Sequence, residues 1–230
     1  MSTIADRLAA VRAEIAAACA AAGRPPERVR LVAVSKTRPV EDLAAAHAAG
    51  QVDFGENYAQ ELRDKADALG PAYTWHFIGS LQRNKVKYVV GRATLVHDVD
   101  SLPLAEELSK RSGAAPTGVL LGVNIGMEPQ KSGFAPAEVL DAARAVAALP
   151  GVRLQGLMCI PPAVDDPEEA APFFAALADL ALQGRAQGLP LHELSMGMSH
   201  DYAVAIRHGA TLVRVGTAIF GARAPKVAPA

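Results

Sequence analysis

Short apolar segments alternate with amphipathic segments along almost the whole chain. The apolar segments are rich in Val, Ile and Leu and are bounded by polar residues or glycine, which is typical of buried strands. Between them, apolar residues recur at steps of three and four, the spacing of a helix with one buried face. The sequence therefore predicts eight strands, at residues 31–35, 52–54, 75–78, 95–97, 118–125, 152–158, 192–195 and 212–215.

A helix is predicted before the first strand and between each successive pair of strands. These helices are predicted at residues 4–22, 40–49, 58–69, 82–90, 102–111, 136–149, 167–187 and 199–208. Alternating strands and helices imply a parallel sheet with right-handed crossovers, and eight such units favour a closed (β/α)8 barrel over an open sheet. Neither the glycine fingerprint of a dinucleotide fold nor a Walker A loop is present in the sequence.

The length and composition fit one α/β barrel domain of the TIM type with an extra N-terminal helix. The chain has 230 residues, of which half are hydrophobic and a fifth are charged, so it can bury a substantial core. No change of composition suggests a linker. We expect a single domain over residues 1–230, in which 222–230 form a disordered tail.

Charge and cysteine content argue against several classes of partner. The formal net charge is −1, which gives no electrostatic reason to bind nucleic acid or an anionic membrane. No apolar run approaches the roughly 20 residues of a membrane-spanning helix. Cys19 and Cys159 are the two cysteines and lack the spacing of metal ligands, so we expect free thiols, no metal and a cytoplasmic location.

The end of the first predicted strand carries the lysine Lys36. A partly desolvated lysine can react as a neutral amine with a carbonyl group and form a Schiff base. The alternative is a lysine that only extends its ammonium group to the surface. The position alone does not choose between these two interpretations.

Other polar residues follow the later strands, at the barrel end where chemistry takes place in such folds. Asn57 follows strand two. Ser199 follows strand seven, and Gly216 and Thr217 follow strand eight, in small-residue loops of the kind that bind phosphate. Arg214 has an apolar residue on each side, so it should point into the barrel. Ser199 could instead be only a helix N-cap, and Gly216 could serve only turn geometry.

Together, one lysine, one buried arginine and two phosphate-type loops predict a site for a phosphorylated aldehyde. Here the sequence resembles the pyridoxal phosphate homeostasis proteins, relatives of the N-terminal barrel of alanine racemase. The resemblance covers almost the whole chain and rests on the motifs AVSKT (33–37), DFGENY (53–58), WHFIG (75–79), KSG (131–133), GLM (156–158), SMGMS (195–199) and VRVGTAIFG (213–221).

The resemblance implies a cofactor, pyridoxal 5'-phosphate (PLP), held as an aldimine on Lys36. It places Ser199, Gly216 and Thr217 around the phosphate. By similarity to the racemase barrel, Arg214 would face the pyridine nitrogen and Asn57 would line the ring. An arginine cannot supply a proton to that nitrogen as a carboxylic acid can, so the ring would be a weaker electron sink.

The leading functional hypothesis is a non-catalytic PLP carrier in PLP homeostasis, expected to be a monomer. It would hold the reactive aldehyde and pass it to PLP-dependent apoenzymes. A PLP-dependent amino-acid racemase is the main alternative, although a racemase takes its second acid–base tyrosine from a further domain, and the predicted barrel ends at Gly221. A Schiff-base aldolase without cofactor is the third possibility.

Overall fold

The computed structural model describes residues 2–113 and 115–222. Within them, eight parallel strands pair in sequence order, and the first strand pairs with the last, so the sheet closes into the predicted barrel. The strands are β1 (Arg30–Val34), β2 (Asp53–Glu56), β3 (Thr74–Phe77), β4 (Ala93–Val99), β5 (Thr117–Gly122), β6 (Val152–Met158), β7 (Glu193–Met198) and β8 (Leu212–Val215).

Helices surround this barrel, as the sequence predicts. In the described ranges they are α1 (Ile4–Ala21), α2 (Val40–Ala48), α3 (Ala59–Leu69), α4 (Val86–Val89), α5 (Leu102–Arg111), α6 (Val139–Ala147), α7 (Ala171–Ala186), α8 (Tyr202–Arg207) and α9 (Thr217–Phe220). The extra N-terminal helix α1 begins with a capping box between Thr3 and Asp6 and packs against α8, α9 and α2.

The core has two parts. The larger part lies between the outer face of the sheet and the helices and includes the cysteine Cys19, buried on the apolar face of α1. The smaller part fills the barrel and consists of Val32, Leu95, Leu120, Met158 and Leu212. The interior of the barrel is therefore filled by packed side chains, as is usual for this fold.

Several element boundaries differ from the sequence prediction. The helix predicted at 82–90 is a single 3-10 turn, Arg83–Lys85, followed by the short α4, because β-branched valines at 86, 89 and 90 favour helix weakly. Strand β5 ends at Gly122 rather than at residue 125, and β7 continues to Met198. The helix predicted from residue 199 begins at Tyr202.

Two expectations concern the ends of the chain and its surroundings. The predicted tail lies outside the described residues from residue 223 onwards. In the ranges 2–113 and 115–222, no helix combines the length and the apolar character needed to span a bilayer.

Candidate functional site

All six residues predicted to form the site line one cavity at the carboxyl ends of the strands. The cavity has a volume of about 170 Å³. Its polar wall consists of Lys36, Asn57, Ser199, Arg214, Gly216 and Thr217. Its apolar wall consists of Val34, Ile78, Ile160 and Met198. Residues from β1 and β2 thus meet residues from β7 and β8, because closure of the barrel makes these four strands neighbours.

Lys36 lies in a tight turn directly after β1. The Arg38 N–H donates to the Ser35 carbonyl at 3.0 Å, which makes Lys36 and Thr37 the two central residues of the turn. Thr37 has a φ of +63°, a left-handed conformation that β-branched residues rarely adopt. Lys36 is half-buried and forms part of the cavity wall.

A buried charged cluster lies behind this turn and involves Lys65 of α3. Its Nζ donates to the Ser35 carbonyl at 2.7 Å, to Glu56 Oε1 at 2.8 Å and to Glu61 Oε1 at 2.7 Å. Burial raises the pKa of Glu56 to about 7, against the opposing effect of the Lys65 ammonium. Sequence reasoning missed this cluster.

The signal that could have found the cluster is the position of Lys65 on its helix. Lys65 lies at a three-residue step from Leu62, which lies at a three-residue step from Ala59, and all three are buried. A lysine on the buried face of a helix needs a partner of opposite charge. The sequence shows the lysine, but only the fold shows its carboxylate partners.

Hydroxyl and amide groups converge on the opposite side of the cavity. The Gly216 N–H and the Thr217 hydroxyl donate to Ser199 Oγ at 3.4 and 3.3 Å. Ser199 is not the N-cap of α8, because that position belongs to Asp201, so the capping alternative for Ser199 is wrong. Gly216 precedes α9 as its N-cap, where backbone N–H groups at the helix start lack partners within the helix.

Two glycines allow close packing of the backbone next to Ser199 and Asn57. Gly197 has a φ of +92°, and a Cβ there would lie 2.7 Å from Ala205 Cβ, so the end of β7 just before Ser199 requires glycine. A Cβ at Gly79 would lie 2.4 Å from the Asn57 carbonyl oxygen. The Asn57 backbone therefore packs directly on Gly79, and Asn57 Oδ1 is buried with no hydrogen-bond partner among the described residues.

Arg214 points into the barrel, as its apolar neighbours predict, and is only 4% exposed. Its Nη1 donates to Ser195 Oγ at 2.5 Å and its Nη2 donates to the Cys159 carbonyl at 3.0 Å. Within the described residues Arg214 forms no ion pair with a carboxylate. A buried cation with only neutral partners is electrostatically incomplete, so its remaining N–H groups favour an acceptor in the cavity.

A chain of hydrogen bonds continues from Arg214 through the barrel. Ser195 Oγ lies 2.7 Å from His97 Nδ1, and His97 Nε2 lies 2.9 Å from His76 Nδ1. His76 Nε2 lies 2.9 Å from Asp53 Oδ1. These histidines satisfy hydrogen bonds in the core, as histidines without a catalytic role commonly do.

Only one arrangement of protons satisfies this chain with neutral imidazoles. Arginine can only donate and an ionised carboxylate can only accept, so every bond runs from Arg214 towards Asp53. The Ser195 hydroxyl then donates to His97 Nδ1, and both histidines carry their proton on Nε2. Burial, together with His76 and Arg214, holds the pKa of His97 well below its usual range, which keeps this ring neutral.

The family of the chain follows from comparison with known proteins. Residues 7–224 match the family described as the N-terminal domain of alanine racemase. A "Pyridoxal phosphate homeostasis protein" of Pseudomonas aeruginosa is 47% identical over 226 residues, which cover 97% of each chain. The protein of that name from Escherichia coli is 45% identical, over 97% of this chain and 98% of the relative. The chain belongs to the pyridoxal phosphate homeostasis protein family.

Solved structures agree with this family and fold. PipY of Synechococcus elongatus, in a structure with PLP bound, is 37% identical, with a TM-score of 0.83 over 95% of this chain and 100% of that chain. Alanine racemase from Corynebacterium glutamicum is 19% identical, with a TM-score of 0.73 over 94% of this chain and 62% of that chain. The second likeness shows the shared barrel alone.

A second cavity of about 270 Å³ adjoins the first, and Ile160 lines both. Asp98 and Lys131 are its ionisable residues. Burial and the nearby Asp100 raise the pKa of Asp98 to about 6. Lys131 is paired with Glu128 and donates to the Pro161 carbonyl at 3.0 Å, so it fastens the loop next to Ile160, the residue that lines both cavities.

Proposed function

We propose that this member of the family binds PLP covalently through Lys36 and holds it for delivery without turning over amino acids. The observation that carries the proposal is the convergence of an amine, a buried guanidinium and a group of hydroxyl and N–H donors on one cavity. The PLP-bound PipY structure and the names of the curated relatives support it.

The polar wall of the cavity suits the parts of PLP. The Lys36 amine would condense with the aldehyde and release water. Ser199, Gly216 and Thr217 would hold the phosphate, since hydroxyl groups and N–H groups at a helix start suit such an anion. Arg214 would donate to the pyridine nitrogen, and Asn57 would line the ring. PLP supplies a reactive aldehyde and an electron-withdrawing ring when it is bound.

The surroundings of the cavity support a holding role rather than turnover. Among the described residues, Lys36 and Arg214 are the only ionisable side chains that line it, and arginine is a poor proton donor. Tyr202 is not among the residues that line the cavity. Its hydroxyl donates to Glu14 on α1, and burial together with this contact raises the pKa of Tyr202. Racemisation needs acid–base groups on both faces of the substrate, and among the described residues that line the cavity Lys36 would serve one face.

The partner and location expectations belong to the same proposal. We infer one PLP-binding domain over residues 1–230 that acts as a monomer in the cytoplasm and passes PLP to PLP-dependent apoenzymes. Two buried free cysteines are consistent with a reducing compartment. Burial raises the pKa of Cys159 to about 12, so this thiol is no nucleophile beside the site.

An absorption spectrum with PLP added tests the proposal. The wild-type protein should develop the visible band of an internal Schiff base, and Lys36→Ala should lose it while staying folded. The matched control Lys87→Ala removes a lysine that lies outside the cavity and should keep the band. A band that persists in Lys36→Ala would contradict attachment at Lys36.

Turnover assays test the non-catalytic part. Racemisation, decarboxylation or transamination of a common amino acid at about 1 s⁻¹ or faster, a usual enzyme rate, would contradict it. If such turnover were found, the neighbouring cavity would be the place to look for the missing acid–base group. If Asp98 were that group, Asp98→Asn would abolish the activity. In a carrier, neither the wild type nor Asp98→Asn turns over amino acids.

A further inference from the structure

The cofactor lysine lies in a strained turn whose geometry needs an external support. A turn with positive φ at its third residue normally has Gly or Asn there, and this turn has Thr37. A β-branched residue in that conformation stays there only where the surrounding structure holds it. The hydrogen bond from Arg38 N–H to the Ser35 carbonyl closes the turn but leaves the Thr37 N–H to be satisfied from outside.

The charged cluster of α3 supplies that support on both sides of Lys36. Before Lys36, the Ser35 carbonyl accepts from Lys65 Nζ, and the Ser35 hydroxyl donates to Glu56 Oε1 at 2.6 Å. After Lys36, the Thr37 N–H donates to Glu61 Oε1 at 2.6 Å. The same Oε1 atom of Glu61 accepts from Lys65 Nζ, so a single ammonium group links both contacts.

We propose that Lys65, together with Glu56 and Glu61, is a positioning group that holds the Lys36 turn so that its amine faces the cavity. This rests on the proposed function only in that Lys36 is the attachment point for PLP. All three donors of the Lys65 ammonium are used inside the cluster, one on the turn and two on the carboxylates that contact it. The group therefore acts through the backbone of Lys36 and has no contact of its own with the cavity.

The distribution of burial agrees with a positioning role. The Lys65 and Glu56 side chains are 8% and 0% exposed, which is an expensive place for an ion pair. Burying two charges rarely adds stability over a well-packed apolar pair of similar size. An ion pair that instead fixes the conformation of one short segment has a reason to be charged, because charge-assisted bonds are strong and directional.

The test separates the conformation of the turn from binding in general. Glu61→Ala removes the acceptor of the Thr37 N–H, whereas Glu61→Gln keeps an oxygen in its place. In the protein without PLP, Glu61→Ala should speed hydrogen exchange at the Thr37 amide about tenfold, as expected for one lost bond to a charged group, and Glu61→Gln should restore most of the protection. Unchanged exchange in Glu61→Ala would overturn the proposal.

A second measurement uses two ligands. PLP needs the Lys36 amine, whereas pyridoxine 5'-phosphate has no aldehyde and uses only the rest of the cavity. Glu61→Ala and the charge-free pair Lys65→Met/Glu56→Gln should slow the appearance of the visible PLP band about tenfold. They should leave the Kd of pyridoxine 5'-phosphate within about twofold, which separates positioning from collapse of the site.

The hydrogen-exchange and two-ligand assays also provide the control and the results that would contradict the proposal. Arg63→Met removes another cation of α3, one paired with Asp64 and stacked over Tyr88, and should change neither measurement. Equal losses for both ligands would reduce the cluster to a structural role and overturn the proposal. If wild-type protein formed no visible band, the proposed function would fail, and the exchange of the Thr37 amide would still decide about the turn.

Discussion

Two buried polar networks support the two sides of the cavity, and they are built on opposite principles. Behind Lys36, the cluster of Lys65, Glu56 and Glu61 is charged and holds a segment of backbone. Behind Arg214, the neutral groups of Ser195, His97 and His76 connect the guanidinium to the Asp53 side chain, and this chain holds the arginine side chain itself. The difference follows from what each side must fix.

Lysine and arginine differ in how much freedom their role allows. In the proposed function the Lys36 amine condenses with an aldehyde, and the cluster holds the turn that carries this lysine rather than the lysine side chain. The guanidinium of Arg214 is planar and directional, so fixing two of its nitrogens fixes the remaining N–H vectors as well. Charges suit the first task and a one-way chain of hydrogen bonds suits the second.

The largest difference should appear when one partner of the charged network is removed. Lys65→Met leaves Glu56 buried without its ammonium; at about pH 8, above the Glu56 pKa of about 7, it should lower the free energy of unfolding by about 3–5 kcal/mol. The double variant Lys65→Met/Glu56→Gln should recover a large part of that loss, since the fully buried charge is gone and Glu61, which also loses the ammonium, is 22% exposed. Urea unfolding measures both, and a loss of equal size in the double variant would contradict the ionic account of this cluster.

The Glu56 carboxyl of the charged network should also make the free energy of unfolding fall as the pH rises. Unfolded, the Glu56 carboxyl loses its proton near pH 4.5, whereas in the fold its pKa is about 7. Between these values the folded state binds more protons, so stability falls with rising pH, by up to about 3 kcal/mol. Glu56→Gln should lack this fall in urea unfolding between about pH 5 and pH 8. Parallel curves for variant and wild type would contradict it.

The neutral network should show the opposite sign. The pKa of His97 is lowered by burial, so below the usual range of histidine the unfolded chain binds a proton that the folded state does not. Stability therefore falls as the pH falls, with a slope of at most about 1.4 kcal/mol per pH unit. His97→Gln should remove that acid-side loss, as urea unfolding between about pH 7 and pH 5 would show. If the slope that His97→Gln removes had the same sign as the slope that Glu56→Gln removes, the comparison would be broken.

The smallest effect concerns the phosphate side, which neither network supports directly. Ser199→Ala should weaken PLP binding by about 1.5 kcal/mol, the scale of a lost hydrogen bond to a charged group. Because Ser199 is not the N-cap residue of α8, the melting temperature should stay close to that of wild type. Ser80→Ala, in a neighbouring cleft, is the matched control. Equal PLP affinity in Ser199→Ala and wild type would place the phosphate elsewhere.

The fold and the cavity residues were within reach of sequence reasoning. Eight apolar segments alternate with helices, and parallel strands end at the same rim, so residues that follow strands one, two, seven and eight had to meet. Arg214 was predicted to point inwards because its two neighbours are apolar, and it does. These inferences use only local periodicity and one rule of barrel topology.

The two supporting networks were not within reach, for two physical reasons. His97 and Ser195 are 98 residues apart and touch only because the barrel brings their strands across its interior. Lys65 reaches Ser35 across 30 residues, and its partners depend on how α3 packs against β2 and β3. Helix ends were also misjudged, as at 199–201, where the Asp201 side chain accepts from Met198 N–H and the backbone turns before α8 begins.

Mapping the site of attachment tests the central claim most directly. The protein is loaded with PLP, reduced with borohydride and digested, and the peptides are analysed by mass spectrometry. The account predicts the pyridoxyl group on Lys36, in wild type and in Arg63→Met alike, and none at that position in Lys36→Ala. An adduct confined to Lys131 or another lysine, with Lys36 unmodified, would contradict it.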